Sequence, residues 1–346
     1  MMVIRPIQQN DLEALYQLAD KTGVGFTSLV PDYDILQAKI DVSLRSFAKE
    51  EIPQPGEESY LFVLEDTENN TIAGICGLLA TVGLDEPFYS YHLGKIVHSS
   101  RELSVHNTMP TLVLNNDYTG ISEICTLFLD EPYRHSKNGQ LLSKCRFMFL
   151  SQFPERFTDK VFAEMRGVSD DEGRSPLWES LGRHFFSIDF KRADELTSLG
   201  SKQFIAELMP NNPVYVSLLS QEAQAVLGKV HTKTAPALHL LEQEGFRFEN
   251  YVDIFDGGPT VEARVQDIRA VRESRLCLAH IVPELPPETG QFYLVSNAKL
   301  NDFRCILIQR AKSISNSFSL SQAEADQLKV THKDPIRLVE LSPQSH

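Results

Sequence analysis

One stretch of this sequence sets a strand, a polar loop and a helix in immediate succession: LDEPYRHSKNGQLLSKCRFMF. The strand ends in Asp-Glu-Pro, the loop carries Arg134 and Gly139, and an apolar-striped helix begins at once. The first N–H groups of a helix lack intrahelical partners and lie at the positive end of its dipole. A glycine there lets a ligand come close, so such a start is a ready site for pyrophosphate. On this stretch alone, an ordinary strand–turn–helix connection would read the same way.

Proton transfer near neutral pH calls for histidine, whose unperturbed pKa is about 6.5. His231 stands in GKVHTKTAPA, a polar loop between two predicted helices, where a side chain can face a cleft; a solvated loop histidine is the plain alternative. His184 follows the Leu181-Gly182 helix end and suits a C-terminal helix cation. His239 falls within an amphipathic helix, and His92, His98 and His106 lie in a long, less readable region. Cys125 could be a nucleophile, but it sits among apolar strand residues without a neighbouring base, as a buried thiol would. No H-x-x-x-H, H-E-x-x-H or paired-cysteine pattern occurs, which disfavours a metal site.

These residues need a frame. MVIRPI reads as a strand, and Asn10-Asp11 offers an N-cap for DLEALYQLAD. YLFVLED and TIAGICGLLA form a predicted antiparallel hairpin across Glu68-Asn69-Asn70. TLVLNN and EICTLFLD continue the strands, a helix is expected from about Gly139 to Phe153, and KVFAEMRGV is another strand. Ser175-Pro176 starts a helix holding Leu177, Trp178 and Leu181. Further on, FIAELMP reads as a strand, PVYVSLLSQEAQAVLGKV as one helix, and APALHLLEQEGFRF as a helix entering a strand, with a turn at Gly257-Gly258. SPLWESLGRHFF and ALHLLEQEGFRF resemble each other, a hint of divergent duplication. VPELPPETG reads as a linker before a small β-rich C-terminal module. The expected fold class is α+β, a largely antiparallel mixed sheet flanked by helices. Its divisions are 1–190, 191–281 with the His231 loop, and 291–346.

With 346 residues the chain can hold two or three cores. Its formal charge of −14, from 47 acidic and 33 basic residues, disfavours nucleic acid and anionic membranes and favours a cationic substrate. MMVIRPIQQNDLEAL lacks the pattern of a secretory signal, and no apolar run approaches a membrane span. Five widely spaced cysteines suit reduced thiols, so a cytoplasmic protein is expected.

The strand–loop–helix resembles the coenzyme A loop of the N-acetyltransferase-like superfamily, whose pattern is Arg/Gln-x-x-Gly-x-Gly/Ala. Arg134 and Gly139 match its first and last positions, while Lys137 stands where the first glycine is expected. The resemblance implies that the strand EICTLFLD splays from its neighbour and that the Leu127 backbone N–H binds the thioester carbonyl; the leucine side chain itself belongs to the core. The superfamily's second signature, Tyr-x-x-x-Gly-Phe, lacks its tyrosine both at Trp178–Gly182 and at Leu241–Phe246.

A more specific likeness runs through MMVIRP, FVLEDTENNTIAGIC, NNDYTG, EICTLFLD, LLSKCRFMF, VFAEMRGV, AELMP, LSQEAQ, TAPALHLLEQEGFR and YVDIFDGGPT. In order, these words resemble the arginine N-succinyltransferase family from residue 1 to about Ser274. The resemblance implies transfer of succinyl from succinyl-CoA to the α-amino group of L-arginine in arginine catabolism. It implies His231 as proton donor and Leu127 as a succinyl-CoA contact. Succinyl-CoA is then a co-substrate, no cofactor is permanently bound, and a homo-oligomer is compatible. Glu123 and Glu164 are candidate guanidinium partners; Arg166 or Lys144 could meet the second carboxylate of the donor. Acetyl transfer to another amine, or a non-catalytic acyl-CoA sensor, are the alternatives.

Overall fold

The computed structural model describes all residues except 23–27, 171, 191, 194–195, 197–202, 286–289, 312–315 and 343–346. The linker reading of Val282–Gly290 therefore falls partly outside the described residues.

The central layer starts from β1 (Met2–Pro6), β2 (Ser59–Asp66), β3 (Thr71–Leu79) and β6 (Ser122–Leu129), hydrogen-bonded in that order and antiparallel throughout. Side chains alternate across a strand, so a strand covered on both faces must be apolar at nearly every position. β2 shows this. Tyr60, Phe62 and Leu64 pack with Phe149 of α3 (Asn138–Gln152), whereas Leu61 and Val63 pack with α1 (Leu12–Asp20) and α2 (Tyr33–Ala48). At the hairpin between β2 and β3, Asn70 takes a left-handed backbone, a conformation asparagine tolerates.

The sheet continues through β7 (Lys160–Glu164), β10 (Pro259–Arg264), β9 (Arg247–Val252), the long hairpin β4 (Ser90–Ser100) and β5 (Val105–Asn115), and β8 (Val214–Tyr215). On its other side, β1 pairs with β13 (Cys305–Arg310), followed by β12 (Gln291–Asn297), β15 (Pro335–Glu340), β11 (Arg275–Ile281) and β14 (Ser317–Leu320). The C-terminal strands thus extend the same sheet. Of the pairings, β6–β7 and β11–β14 are parallel. Among the described residues, no helix is long and apolar enough to cross a membrane.

Two local expectations need correction. Gln203–Leu208 is helical where FIAELMP suggested a strand, a short apolar run being ambiguous by periodicity. Pro213–Val230 is not one helix. It begins as β8, passes through a 3₁₀ turn, and restarts at Ser220, whose hydroxyl caps the Ala223 N–H of the helix Gln221–Val226. Helix α2 was not foreseen. The segment opened by Ser175 contains a π-helical stretch, Trp178–Gly182, while Ala235–Gln243 is regular α-helix.

Candidate active site

The parallel pair β6–β7 is joined only at Ser122↔Val161 and Glu123↔Phe162, and then the strands part. On its other edge, β6 pairs Cys125 with Gly77 and Phe128 with Ile75, so Thr126 and Leu127 together face the single residue Cys76. This is a β-bulge, and it re-aims the backbone of the bulged strand. Thr126 has φ 52°, a left-handed value that a β-branched residue adopts only under constraint from its surroundings. The Leu127 side chain packs on the main core. Its peptide lies beyond the last pair that β6 makes with β7.

A cavity of about 610 Å³ fills the parting. Glu123, Cys125, Thr126 and Leu127 line it from β6, and Ala163, Glu164, Met165 and Arg166 from β7 and its extension. Thr234, Ala237 and Leu241 close another side, with Arg146 of α3, Asp253 and Asp256. Both predicted guanidinium partners, Glu123 and Glu164, therefore border one space. Of the four predicted site residues Leu127 alone lines this cavity; His231, Arg134 and Gly139 do not. None of the four borders a larger cavity of about 1240 Å³ between the end of helix Ala235–Gln243, β10 and the C-terminal strands.

Beyond Leu127, β6 leads into the predicted anion loop. Asp130 caps the 3₁₀ turn Glu131–Tyr133, and Ser136 and Lys137 both have left-handed backbones, with φ 50° and 66°. Lys137 thus adopts the conformation that glycine provides without strain, and its ammonium lies 4.9 Å from the centre of the Phe292 ring. Asn138 turns its N–H back to the His135 carbonyl, and the Leu141 N–H already reaches Lys137, so the intervening peptides head α3. At Gly139 the backbone is not left-handed, and the only atom near an added Cβ would be Leu129 Cδ2 at 3.8 Å. Neither conformation nor packing within the chain demands glycine there. The space above this helix start suits a group brought from outside. Arg134 is exposed and its Nε donates to the Leu129 carbonyl at 3.0 Å.

His231 is half-buried and held by its main chain. Its N–H donates to the Arg166 carbonyl at 2.8 Å, next to the antiparallel bridge Gly167↔Val230, so its loop is fastened to the β7 extension. The Lys233 N–H donates to His231 Nδ1 at 3.1 Å. In the neutral ring this puts the proton on Nε2. The wall residues Thr234 and Ala237 follow directly in sequence.

The β7 extension is itself clamped. Asp256 accepts from the Gly167 N–H at 2.7 Å and from the Gly258 N–H at 2.8 Å. A Cβ on Gly258 would run into the Met165 carbonyl oxygen, so this glycine serves backbone contact as well as a turn. Burial, and then the neighbouring Asp253 carboxylate, push the Asp256 carboxyl well above the usual range. Asp253 is also raised, chiefly by burial.

The remaining candidates separate clearly. Burial pushes the Cys125 thiol up to about 12, with Glu123 adding to the shift, which is the wrong direction for a nucleophile. Lys144 is turned away from the cavity: its Nζ lies 2.8 Å from Glu244 and donates to the Leu341 carbonyl. Arg166 does line the cavity and donates to the Ser169 hydroxyl at 3.0 Å. His98 bonds Tyr215 at 3.0 Å, His92 packs on Tyr251, and His106, His184 and His239 are exposed. Sequence reasoning missed the bulge, the Asp253–Asp256 pair and Arg146. The signal for Arg146 was a charge inside LLSKCRFMFL, where only apolar residues would be expected of a buried helix.

The family described as Arginine N-succinyltransferase beta subunit matches residues 2–270, and its C-terminal domain matches residues 275–340. The chain is 51% identical to the arginine N-succinyltransferases of Escherichia fergusonii and of Escherichia coli K12, over 99% of its own length and 98% of theirs. A solved structure, subunit AI of the arginine/ornithine succinyltransferase from Pseudomonas aeruginosa, superposes with a TM-score of 0.91 at 38% identity, covering 99% of each chain. The fold is α+β, with helices on a largely antiparallel sheet, and the chain is an acyltransferase. Over nearly its whole length, from β1 to β15, the chain belongs to the arginine N-succinyltransferase family.

Proposed function

We propose that the chain transfers succinyl from succinyl-CoA to the α-amino group of L-arginine, with Leu127, Arg134, Gly139 and His231 as its site residues. The observation that carries this reading is the parting of β6 and β7 beside a bulge at Thr126–Leu127, with the helix start at Gly139 farther along the same strand. Pyrophosphate would rest on the head of α3 near Arg134, and the pantetheine arm would run back along β6. The thioester carbonyl then meets the Leu127 N–H.

The neutral α-amine attacks the thioester carbon, both substrates being held together in the cavity. A C–N bond forms and the carbonyl oxygen gains negative charge, which the Leu127 N–H steadies. The C–S bond breaks. His231 acts as the imidazolium, its Nδ1 then protonated and released from the Lys233 N–H, and gives its Nε2 proton to the thiolate. The proton the amine loses on becoming an amide returns to the ring. The products are succinylarginine and CoA. Glu123 and Glu164 supply negative charge where a guanidinium would lie. On this reading residues 1–190 hold the acyl-CoA and residues 191–281 bring the acid. Five free thiols suit work in the reducing cytoplasm.

The test is thiol release from succinyl-CoA with L-arginine, ornithine, lysine or no amine, repeated with acetyl-CoA. Fast release with arginine and succinyl-CoA is expected. Release confined to acetyl-CoA, or none with any amine, would reject the assignment.

A further inference from the structure

We infer that Arg146 receives the distal carboxylate of the acyl group and so makes the site selective for a dicarboxylic donor; this rests on the succinyl-CoA reading above. Arg146 is 2% exposed and borders the cavity. Its Nε donates to the Ser143 carbonyl at 2.9 Å, Nη2 to the Ser143 hydroxyl at 3.1 Å, and Nη1 to the Cys125 carbonyl at a long 3.4 Å. Every one of these partners is neutral. Among the described residues no carboxylate lies within ion-pair reach of this guanidinium, although Glu123 and Glu164 border the same space. A buried cation ordinarily has a counter-charge. Of its five N–H groups, three are engaged, which leaves two for an anion.

The direction and reach agree. With pyrophosphate at the C-terminal end of β6 and the thioester carbonyl at Leu127, the acyl chain continues toward the start of the strand. Cys125 lies two residues that way, at most about 6.6 Å at the usual strand rise and less across the Thr126 bulge. Carbon–carbon bonds of about 1.5 Å put the far carboxylate carbon of a succinyl group roughly 4 Å from its thioester carbon, with its oxygens farther still. A carboxylate at that distance comes within hydrogen-bonding range of a guanidinium anchored on the Cys125 carbonyl. Arg166, the other arginine on the cavity, is anchored to Ser169 and lends its carbonyl to the His231 N–H, which sets it on the catalytic loop's side.

The test compares kcat/KM for succinyl-CoA and acetyl-CoA, with arginine as acceptor, in the wild type, Arg146→Gln, Arg146→Lys and Arg166→Gln. Arg146→Gln is expected to lower the succinyl-CoA value roughly 10- to 150-fold, as loss of a charge-assisted pair would. Acetyl-CoA use and the affinity for free CoA should hold. Arg146→Lys keeps the charge without the fork and should lose less, still only with succinyl-CoA; it carries the test if Arg146→Gln does not fold. Equal losses with both donors, no loss, or a selective loss confined to Arg166→Gln would overturn the role of Arg146. A wild type that does not prefer succinyl-CoA would instead remove the underlying reading.

Discussion

The Asp256 carboxylate accepts a 2.7 Å hydrogen bond from the Gly167 N–H, tying the end of the β7 extension to the turn between β9 and β10. Gly167 in turn bridges Val230, the residue before His231. The His231 loop is therefore positioned through backbone bonds that lead to one buried carboxylate. Asp256→Ala should leave the Gly167 and Gly258 N–H groups without their acceptor, at a cost of about 1–3 kcal/mol each in a buried setting. Lower thermal stability together with a lower kcat is expected; a variant that keeps both would show that the loop is held by other means.

The Asp253–Asp256 pair predicts a pH dependence of stability. Both carboxyls hold their protons more tightly in the folded chain than in water, mainly because they are buried. A group raised in this way favours the fold at low pH, and that contribution is lost as pH rises through its folded value. Asp253→Asn keeps an acceptor for the Phe255 and Asp256 N–H groups while removing one charge. Its melting temperature should exceed that of the wild type by roughly 2 °C at pH 8. The difference should close below about pH 4, where free carboxyls are protonated. Melting curves across pH check both limbs, and a gap that widens in acid would contradict the sign.

His231→Ala should lower turnover roughly 100-fold or more, the usual scale of general acid catalysis. Succinyl-CoA affinity should change little, because the pyrophosphate and thioester contacts proposed above lie on β6 and α3. Steady-state kinetics with direct CoA-binding measurements separate the two effects. Undiminished turnover would take the histidine out of the mechanism.

Gly139→Ala should move stability and binding in opposite directions. An alanine Cβ has open space in the free chain, and alanine favours helix by about 1 kcal/mol over glycine. The same methyl would stand between the helix start and a pyrophosphate. A higher melting temperature with weaker CoA binding is expected; unchanged affinity would place the phosphates elsewhere.

Cys125→Ala should remain active. With the thiol raised to about 12, roughly one molecule in 10,000 carries a thiolate at pH 8. Loss of acyl transfer with retained folding and CoA binding would revive a covalent route.

The sequence made the central layer legible where local signals and packing agree. The β2–β3 hairpin was announced by two apolar runs around Asn69-Asn70, and α3 by the glycine and polar loop before it. Helix α2 was equally available, with Asp32 accepting from the Asp34 and Ile35 N–H groups and Leu36, Ile40 and Phe47 buried at helical spacing. The bulge was not readable, because nothing about threonine announces φ 52°; the strands on either side impose it. Arg146 is a similar case, since its meaning comes from Cys125, 21 residues earlier, whose carbonyl it meets only in the folded sheet. His231 and Leu127 stand out by likeness to a family, whereas the Asp256 clamp exists only once the β9–β10 turn meets Gly167 in the fold.

The β1–β13 pairing has a consequence for how the chain is made. Val3 lies opposite Ile306 and Ile4 opposite Cys305, so during synthesis β1 waits for a partner about 300 residues later. Until then β1 offers an open, apolar edge, the kind of surface that recruits other chains. Such distant pairings also slow folding, since a large loop must close before the contact forms. A nascent chain halted before β13 should therefore be the form that most needs a chaperone, and completing that seam is the step that closes the edge.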